Sequence, residues 1–376
     1  MSNTTTIQRR MENTLRLIDS YYRHSYLRNK ILEIKSRKSI KEFGSKNRRF
    51  VIFLVPGANI VNGGILSIFS IASETQKLMA MSHVSVAVCT AYSEPRILRY
   101  TKFKNDIDIF AFTDLLQQIP SGSEVLVHVP ELSVQKYVCA HSFLYHSRLD
   151  LKWRFNILLQ NIDLIPPKQA VEFLQMIGPT TATIAHKAYA TPETAQRLGC
   201  PVHYLSWWVY PERFERVGYS KKRKLIAISP DLHPARSEII RRISETLPDH
   251  KIIEIRNMTY QKFRNIIQYA KFSFTFGEGL DGYFVEQIFC GGIGMAIFND
   301  RFFTDEYRNF DGVFLNGEDA IMGIANFIKM TNNGIQYQAV SERQYNLLAR
   351  NFRREEYLKN IRVFYKIYFP GWCLSE

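Results

Sequence analysis

The amino-acid sequence predicts an α/β protein of two doubly wound domains that face each other, preceded by a basic helical arm. Three observations carry this. Between residues 50 and 206, short β-branched runs alternate with stretches at helical spacing, the pattern of a parallel sheet covered on both faces. A second, shorter alternation starts at RKLIAIS, residues 223 to 229. Between them lies WWVYPERFERVGYSKKRK, rich in aromatics, proline and charge, which marks the boundary; 376 residues suffice for two domains that each bury a core.

The arm is residues 1 to 45. Apolar positions recur at Met11, Leu15, Ile18 and Tyr22, then at Leu27, Ile31 and Ile34, with arginines and lysines between them. Residues 1 to 49 hold 13 Lys and Arg against four Asp and Glu, so +9 of the formal +14 lies here. Such an arm suits an anionic membrane surface. Its alternative is a solvated helix packed on its own protein. No zinc-finger or RNP-like aromatic pattern supports nucleic acid as a partner.

The N-terminal domain, 46 to 215, reads as strands FVIFLV, VSVAVC, IDIFAF, EVLVHV, FNILLQ and TATIAH, with helices near 65 to 80 and 132 to 147. Residues 51 to 73, VIFLVPGANIVNGGILSIFSIAS, are uncharged and long enough to cross a membrane. Pro56, Gly57, Asn59, Asn62, Gly63 and Gly64 interrupt the segment, so it reads as strand, glycine loop and helix. The C-terminal domain, 216 to 345, continues through a helix near 236 to 246, KIIEI, a helix near 259 to 269, FSFTF, a helix after Gly282, MAIF and GVFL. The tail from about Glu342 to Tyr368 reads as long helices with Tyr357, Ile361, Phe364 and Ile367 on one side, and residues 346 to 376 are expected to return to the N-terminal domain. Five dispersed cysteines without a C-x-x-C pair indicate free thiols in a reducing compartment. The opening MSNTTTIQRRMENTLRL lacks the apolar core of a signal peptide, so the expected location is the cytoplasm, peripheral on the inner face of the membrane.

The stretch FTFGEGLDGYFVEQIFCGG, residues 274 to 292, concentrates the chemistry. A β-rich run enters a turn of glycine and aspartate, and helical spacing follows. A strand, tight turn and helix of this kind place amides and a helix N-terminus at the carboxyl edge of a sheet, where they hold an anion such as a diphosphate. Glu278 stands at the strand end; Glu286, with seven residues between, stands one helical turn in. The alternative is an ordinary capped helix.

EGLDGYFVEQIFCGG resembles the E-G-x-G-L-P-x-x-E-A-M-A-C-G motif of the retaining GT-B glycosyltransferases, the large family that includes sucrose synthases and bacterial mannosyl- and rhamnosyltransferases. The resemblance covers about residues 50 to 330 and implies two facing Rossmann-like domains, an acceptor domain followed by a donor domain. It implies that Glu278 contacts the donor sugar and that Glu286 binds the nucleotide ribose, with Gly279, Asp281 and Gly282 in the donor-binding turn. PGANIVNGGILSIF resembles the family's N-terminal loop, so Gly63 and Gly64 are expected to bring amides to the donor phosphates; a plain strand-to-helix turn is the alternative. Arg236 falls near the family's basic position for the leaving diphosphate, while Pro230 stands where an arginine is usual. EVLVHVPELS resembles the strand ending in His-x-His-Glu-Pro, so His128 and Glu131 take the first His and the Glu, and Pro130 replaces the second His. Asp106 and Asp108 form a D-x-D that precedes a strand and reads as a surface feature.

The implied function is retaining transfer of a sugar from a nucleotide diphosphate sugar to a cell-surface polysaccharide or lipid-linked glycan, without cofactor or metal. The catalytic set is Glu278, Arg236 and His128. Because two family positions are replaced, the alternative is a catalytically silent GT-B-like protein that binds glycan or acts as a scaffold.

Overall fold

The computed structural model describes residues 39–43, 47–90, 101–135, 142–206 and 208–373. Most of the expected arm, 1–38 and 44–46, lies outside the described residues. Residues 39–43 are helical, and Ile40 is buried among first-sheet side chains such as Phe50 and Ile52.

Among the described residues the first sheet has seven parallel strands: β1 (Arg49–Val55), β2 (Val84–Thr90), β3 (Ile109–Ala111), β4 (Glu124–Pro130), β5 (Lys152–Leu159), β6 (Thr180–Ile184) and β7 (Val202–Tyr204). Their order is β3-β2-β1-β4-β5-β6-β7, so the winding reverses between β1 and β4. Strand β1, RFVIFLV, is buried at every residue after Arg49, because a parallel sheet covered on both faces selects continuous apolar runs. Strand β7 was not anticipated: three half-buried residues at the sheet edge are too short to show a period. IDIFAF keeps only Ile109–Ala111 as strand, since Phe112 already opens a short helix. The uncharged segment 51 to 73 divides as expected into β1, a loop and the helix Gly63–Leu78. Among the described residues no helix is long and apolar enough to cross a membrane.

The second sheet contains β8 (Arg223–Ile228), β9 (Lys251–Glu254), β10 (Ala270–Thr275), β11 (Ile293–Ile297) and β12 (Val313–Phe314). Its order is β12-β11-β10-β8-β9, all parallel, and the winding reverses between β8 and β10. Helices Arg236–Thr246 and Tyr260–Tyr269 lie where the spacing put them. Side chains of the joining segment, Leu205, Trp208, Val209 and Phe214, belong to one apolar cluster with Val51 and Phe53 of the first sheet and Ala227 and Phe284 of the second unit.

Three helices end the chain, Gly317–Thr331, Gly334–Asn351 and Arg354–Tyr368. The last packs against the helix Gly63–Leu78, and its Tyr357 hydroxyl donates to Ser70 Oγ at 3.1 Å. Tyr357, Ile361 and Phe364 are buried there, whereas Ile367 lies off that face and is exposed. Cys89, Cys200 and Cys290 are buried free thiols, and Cys373 is a half-buried one.

Candidate functional site

An open parallel sheet leaves a crevice beyond the carboxyl ends of its strands where the winding reverses. In the first sheet the chain beyond β1 leads to Gly63 and Gly64, and Glu131 follows β4 directly. In the second, Ser229 and Asp231 follow β8, and Gly277, Glu278 and Gly279 follow β10. The two edges meet. Asn161, just past β5, donates from Nδ2 to Glu278 Oε1 at 2.8 Å. Arg301, past β11, pairs with Asp163, and the Phe302 ring stands edge-on to His186 at 5.1 Å.

The turn between β10 and the helix Gly282–Phe289 shows why its residue types are needed. Gly279 has φ of +90°, and a Cβ there would lie 2.0 Å from the Phe303 ring. Asp281 Oδ1 accepts from the amides of Tyr283 at 2.9 Å and Phe284 at 3.2 Å, and the Thr275 hydroxyl donates to Oδ2. This corrects the expectation of free first-turn amides aimed at a diphosphate: the N-cap carboxylate already takes two of them. Glu286 is 2% exposed and accepts from the Tyr260 hydroxyl at 3.1 Å. Burial pushes the Glu286 carboxyl up to about 7, against the pull of Tyr260, Arg264 and Arg213. Burial likewise pushes Glu278 up to about 7 despite the Asn161 bond, with Asp231 and Asp163 adding to the rise. Asp281 goes to about 8, for burial first and then for Asp231 and Glu278.

On the facing edge, a Cβ at Gly64 would meet the Gln160 side-chain oxygen at 2.4 Å, while one at Gly63 would meet nothing within 4 Å. Gln160 Nε2 donates to the Gly64 carbonyl at 3.1 Å. Glu131 accepts from the backbone amides of Gln160 and Asn161, and burial nevertheless pushes it up to about 7, with Glu278 contributing. Gly64, Gln160, Glu131, Asn161 and Glu278 therefore form one connected polar line across the two edges.

One catalytic assignment changes, that of His128, and Arg236 keeps its place with a partner already bound. His128 is a core residue: it is 1% exposed, stacks on Phe53 at 4.2 Å, and its nitrogens meet Tyr365 Oη at 3.1 Å and Asn156 Nδ2 at 2.9 Å. Burial lowers its pKa to about 3, so it stays neutral and has no open nitrogen for a substrate. The position in β4 explains this, because the strand is buried on both faces from Val125 to Val129. Arg236 begins its helix beside the second switch point, over the Phe276 ring at 5.6 Å, but its Nη2 is paired with Glu254 Oε2 at 2.6 Å. Its charge is partly spent before a ligand arrives.

The sequence did not single out Asn161, Tyr260, Asp231 or the Asp163–Arg301 pair. Asn161 and Asp231 each follow a strand that the sequence did predict, and a search of strand ends would have found them. Asp106 and Asp108 are exposed, and among the described residues no cluster of three or more His, Cys, Asp or Glu is arranged to hold a metal ion.

No protein-family model matches the chain, and no curated protein matches its sequence. Solved structures do match. Anabaena HepE in complex with UDP-glucose aligns with 85% of this chain and 99% of that one, with TM-score 0.54 and 11% identity. Sucrose-phosphate synthase from Thermosynechococcus elongatus aligns with 86% of this chain and 99% of that one, with TM-score 0.50 and 9% identity. Two parallel sheets with opposed switch points, matched over nearly the full length of these proteins, give this chain the α/β fold of the GT-B glycosyltransferases.

Proposed function

We propose that the protein is a retaining glycosyltransferase that moves a sugar from a nucleotide diphosphate sugar to a cell-surface polysaccharide or lipid-linked glycan. The observation that carries this reading is the meeting of two switch points, with Glu278 at one and Gly63, Gly64 and Glu131 at the other. The fold shared with HepE, solved with UDP-glucose, supports a nucleotide sugar as donor. In this reading Glu286 takes the ribose hydroxyls and Glu278 faces the sugar. The amides of Gly63 and Gly64 receive the diphosphate together with Arg236. The bond from the anomeric carbon to the diphosphate oxygen breaks as the acceptor oxygen joins that carbon on the same face, and the acceptor proton passes to the departing oxygen. The protein supplies position and charge for an oxocarbenium-like sugar rather than a side-chain nucleophile.

Release of nucleotide diphosphate from a panel of nucleotide sugars, with EDTA present, tests the reaction. One donor should be turned over, with the rate unchanged by the chelator. Activity lost in EDTA and restored by manganese or magnesium would reject the metal-free mechanism and return attention to Asp106 and Asp108. One observation favours the catalytically silent alternative: Asp231 adds to the rise of both Glu278 and Asp281, and Asp281 occupies amides that a phosphate could have used. That alternative requires binding without release of nucleotide from any donor.

We place the protein on the cytoplasmic face of a membrane through residues 1 to 45. Each basic residue near an anionic surface contributes roughly 1 kcal/mol. Deleting residues 1 to 38, which spares the buried Ile40, should release the protein from anionic liposomes and leave nucleotide binding intact. Equal liposome binding by the truncated and full chains would assign the arm another role.

A further inference from the structure

We propose that Arg256 is a second cation of the donor site, and that Arg236 and Arg256 form a diphosphate cradle whose resting counter-ion is Glu254. This rests on the nucleotide-sugar reading above. A diphosphate leaving group needs more than one positive partner, and the acids Glu278, Asp281 and Asp231 at the second switch point make the need greater. Pro230 supplies no charge. Arg256 reaches the same place from the neighbouring strand: two residues past β9, its Nη2 lies 3.4 Å from the Pro230 carbonyl oxygen.

Glu254, the last residue of β9, bridges the two arginines. Arg236 Nη2 donates to its Oε2 at 2.6 Å and Arg256 Nε to its Oε1 at 2.6 Å. Two guanidinium groups thus share one carboxylate, which leaves a net positive charge for a larger anion. Arg236 Nε is buried without a hydrogen-bond partner, and the Arg256 side chain is 58% exposed, so the pair holds both an unused donor and an approach from solvent. Arg236 Nη2 lies 3.5 Å from the carbonyl oxygen of Ser229, just past β8, and its guanidinium stands over Phe276, just past β10, so the cradle borders the same crevice. A diphosphate binds by displacing Glu254 from the guanidinium groups.

Calorimetric titration with UDP and with uridine tests this on the full chain, as wild type and as the Arg256→Gln and Glu254→Gln variants, with GDP, ADP and their nucleosides as a parallel panel. Arg256→Gln should weaken diphosphate binding roughly tenfold or more, the scale of a charge-assisted hydrogen bond, and leave the nucleoside unaffected. Glu254→Gln should tighten the diphosphate. Equal UDP affinity in Arg256→Gln and wild type, or equal loss of UDP and uridine, overturns the cradle. A wild type that binds no nucleoside diphosphate defeats the functional reading. Inorganic pyrophosphate then decides the cradle separately: binding that depends on Arg256 upholds it, and absent or Arg256-independent binding overturns it.

Discussion

Glu278→Gln is expected to lower turnover on the order of a hundredfold while leaving nucleotide affinity nearly unchanged, the effect of losing one preorganised electrostatic contact. Glu278 sits at the second switch point, fixed by Asn161, where positive charge would develop on the sugar. Its carboxylate would therefore matter more in the transition state than in the ground state. Only the ionised form does this work. With the carboxyl pushed up to about 7, wild-type turnover should rise as pH passes through 7, and the Gln variant should show a low, flat profile. Glu286→Gln should instead raise the donor Michaelis constant, because ribose hydroxyls are held alike in substrate and transition state. Initial rates across donor concentration and pH separate the two. Near-normal turnover in Glu278→Gln, or two variants altered only in thermal midpoint, would make the E-x(7)-E spacing a structural coincidence.

Stability should fall as pH rises from 6.5 to 8, the reverse of what ion-paired surface carboxylates produce. Glu131, Glu278 and Glu286 titrate at about 7 in the fold and Asp281 at about 8, against about 4 in an unfolded chain. Across this window the folded state keeps protons that the unfolded state has already released, so deprotonation favours unfolding. The loss is about 1 kcal/mol for each carboxyl at 7 and about 2 kcal/mol for Asp281. Other groups bound the window. Burial holds His128 at about 3 and His186 at about 4 and lowers His203 and His233, so their neutral forms weaken the fold mainly below about 6.5 and offset part of the fall just above it. Lys222, lowered to about 8 by burial, reverses the slope only above that value. Denaturant midpoints at pH 6.5 and 8 should show the fall, and Glu286→Gln should remove about 1 kcal/mol of it. A wild-type midpoint that stays level or rises between the two would contradict these carboxyl environments.

Every strand but β7 and the turn after β10 were legible because their signals are local. Continuous apolar runs mark strands buried on both faces, and glycine with aspartate marks the turn. Asp281 was legible too, but its meaning was not: an aspartate immediately before a helix caps that helix first. His128 was misplaced by alignment with a motif, although the continuous apolar run EVLVHV marks a strand buried on both faces. The bond between Asn161 and Glu278, the pairing of Arg301 with Asp163 and the cover of Tyr260 over Glu286 depend on how separate elements pack. Nothing within a few residues of any of these groups encodes the partner.

The contact of His128 with Tyr365 joins residues 237 apart, and the Phe364 ring lies 5.8 Å from the same imidazole. During synthesis, the first half of the polypeptide emerges long before the helix that covers this face of its sheet. Until then the side of His128 that Phe364 and Tyr365 cover stays open, although the helix Gly63–Leu78 already packs beside Phe53. This layer is thus made early and finished late, its completion waiting on the helix Arg354–Tyr368 to clear the ribosome.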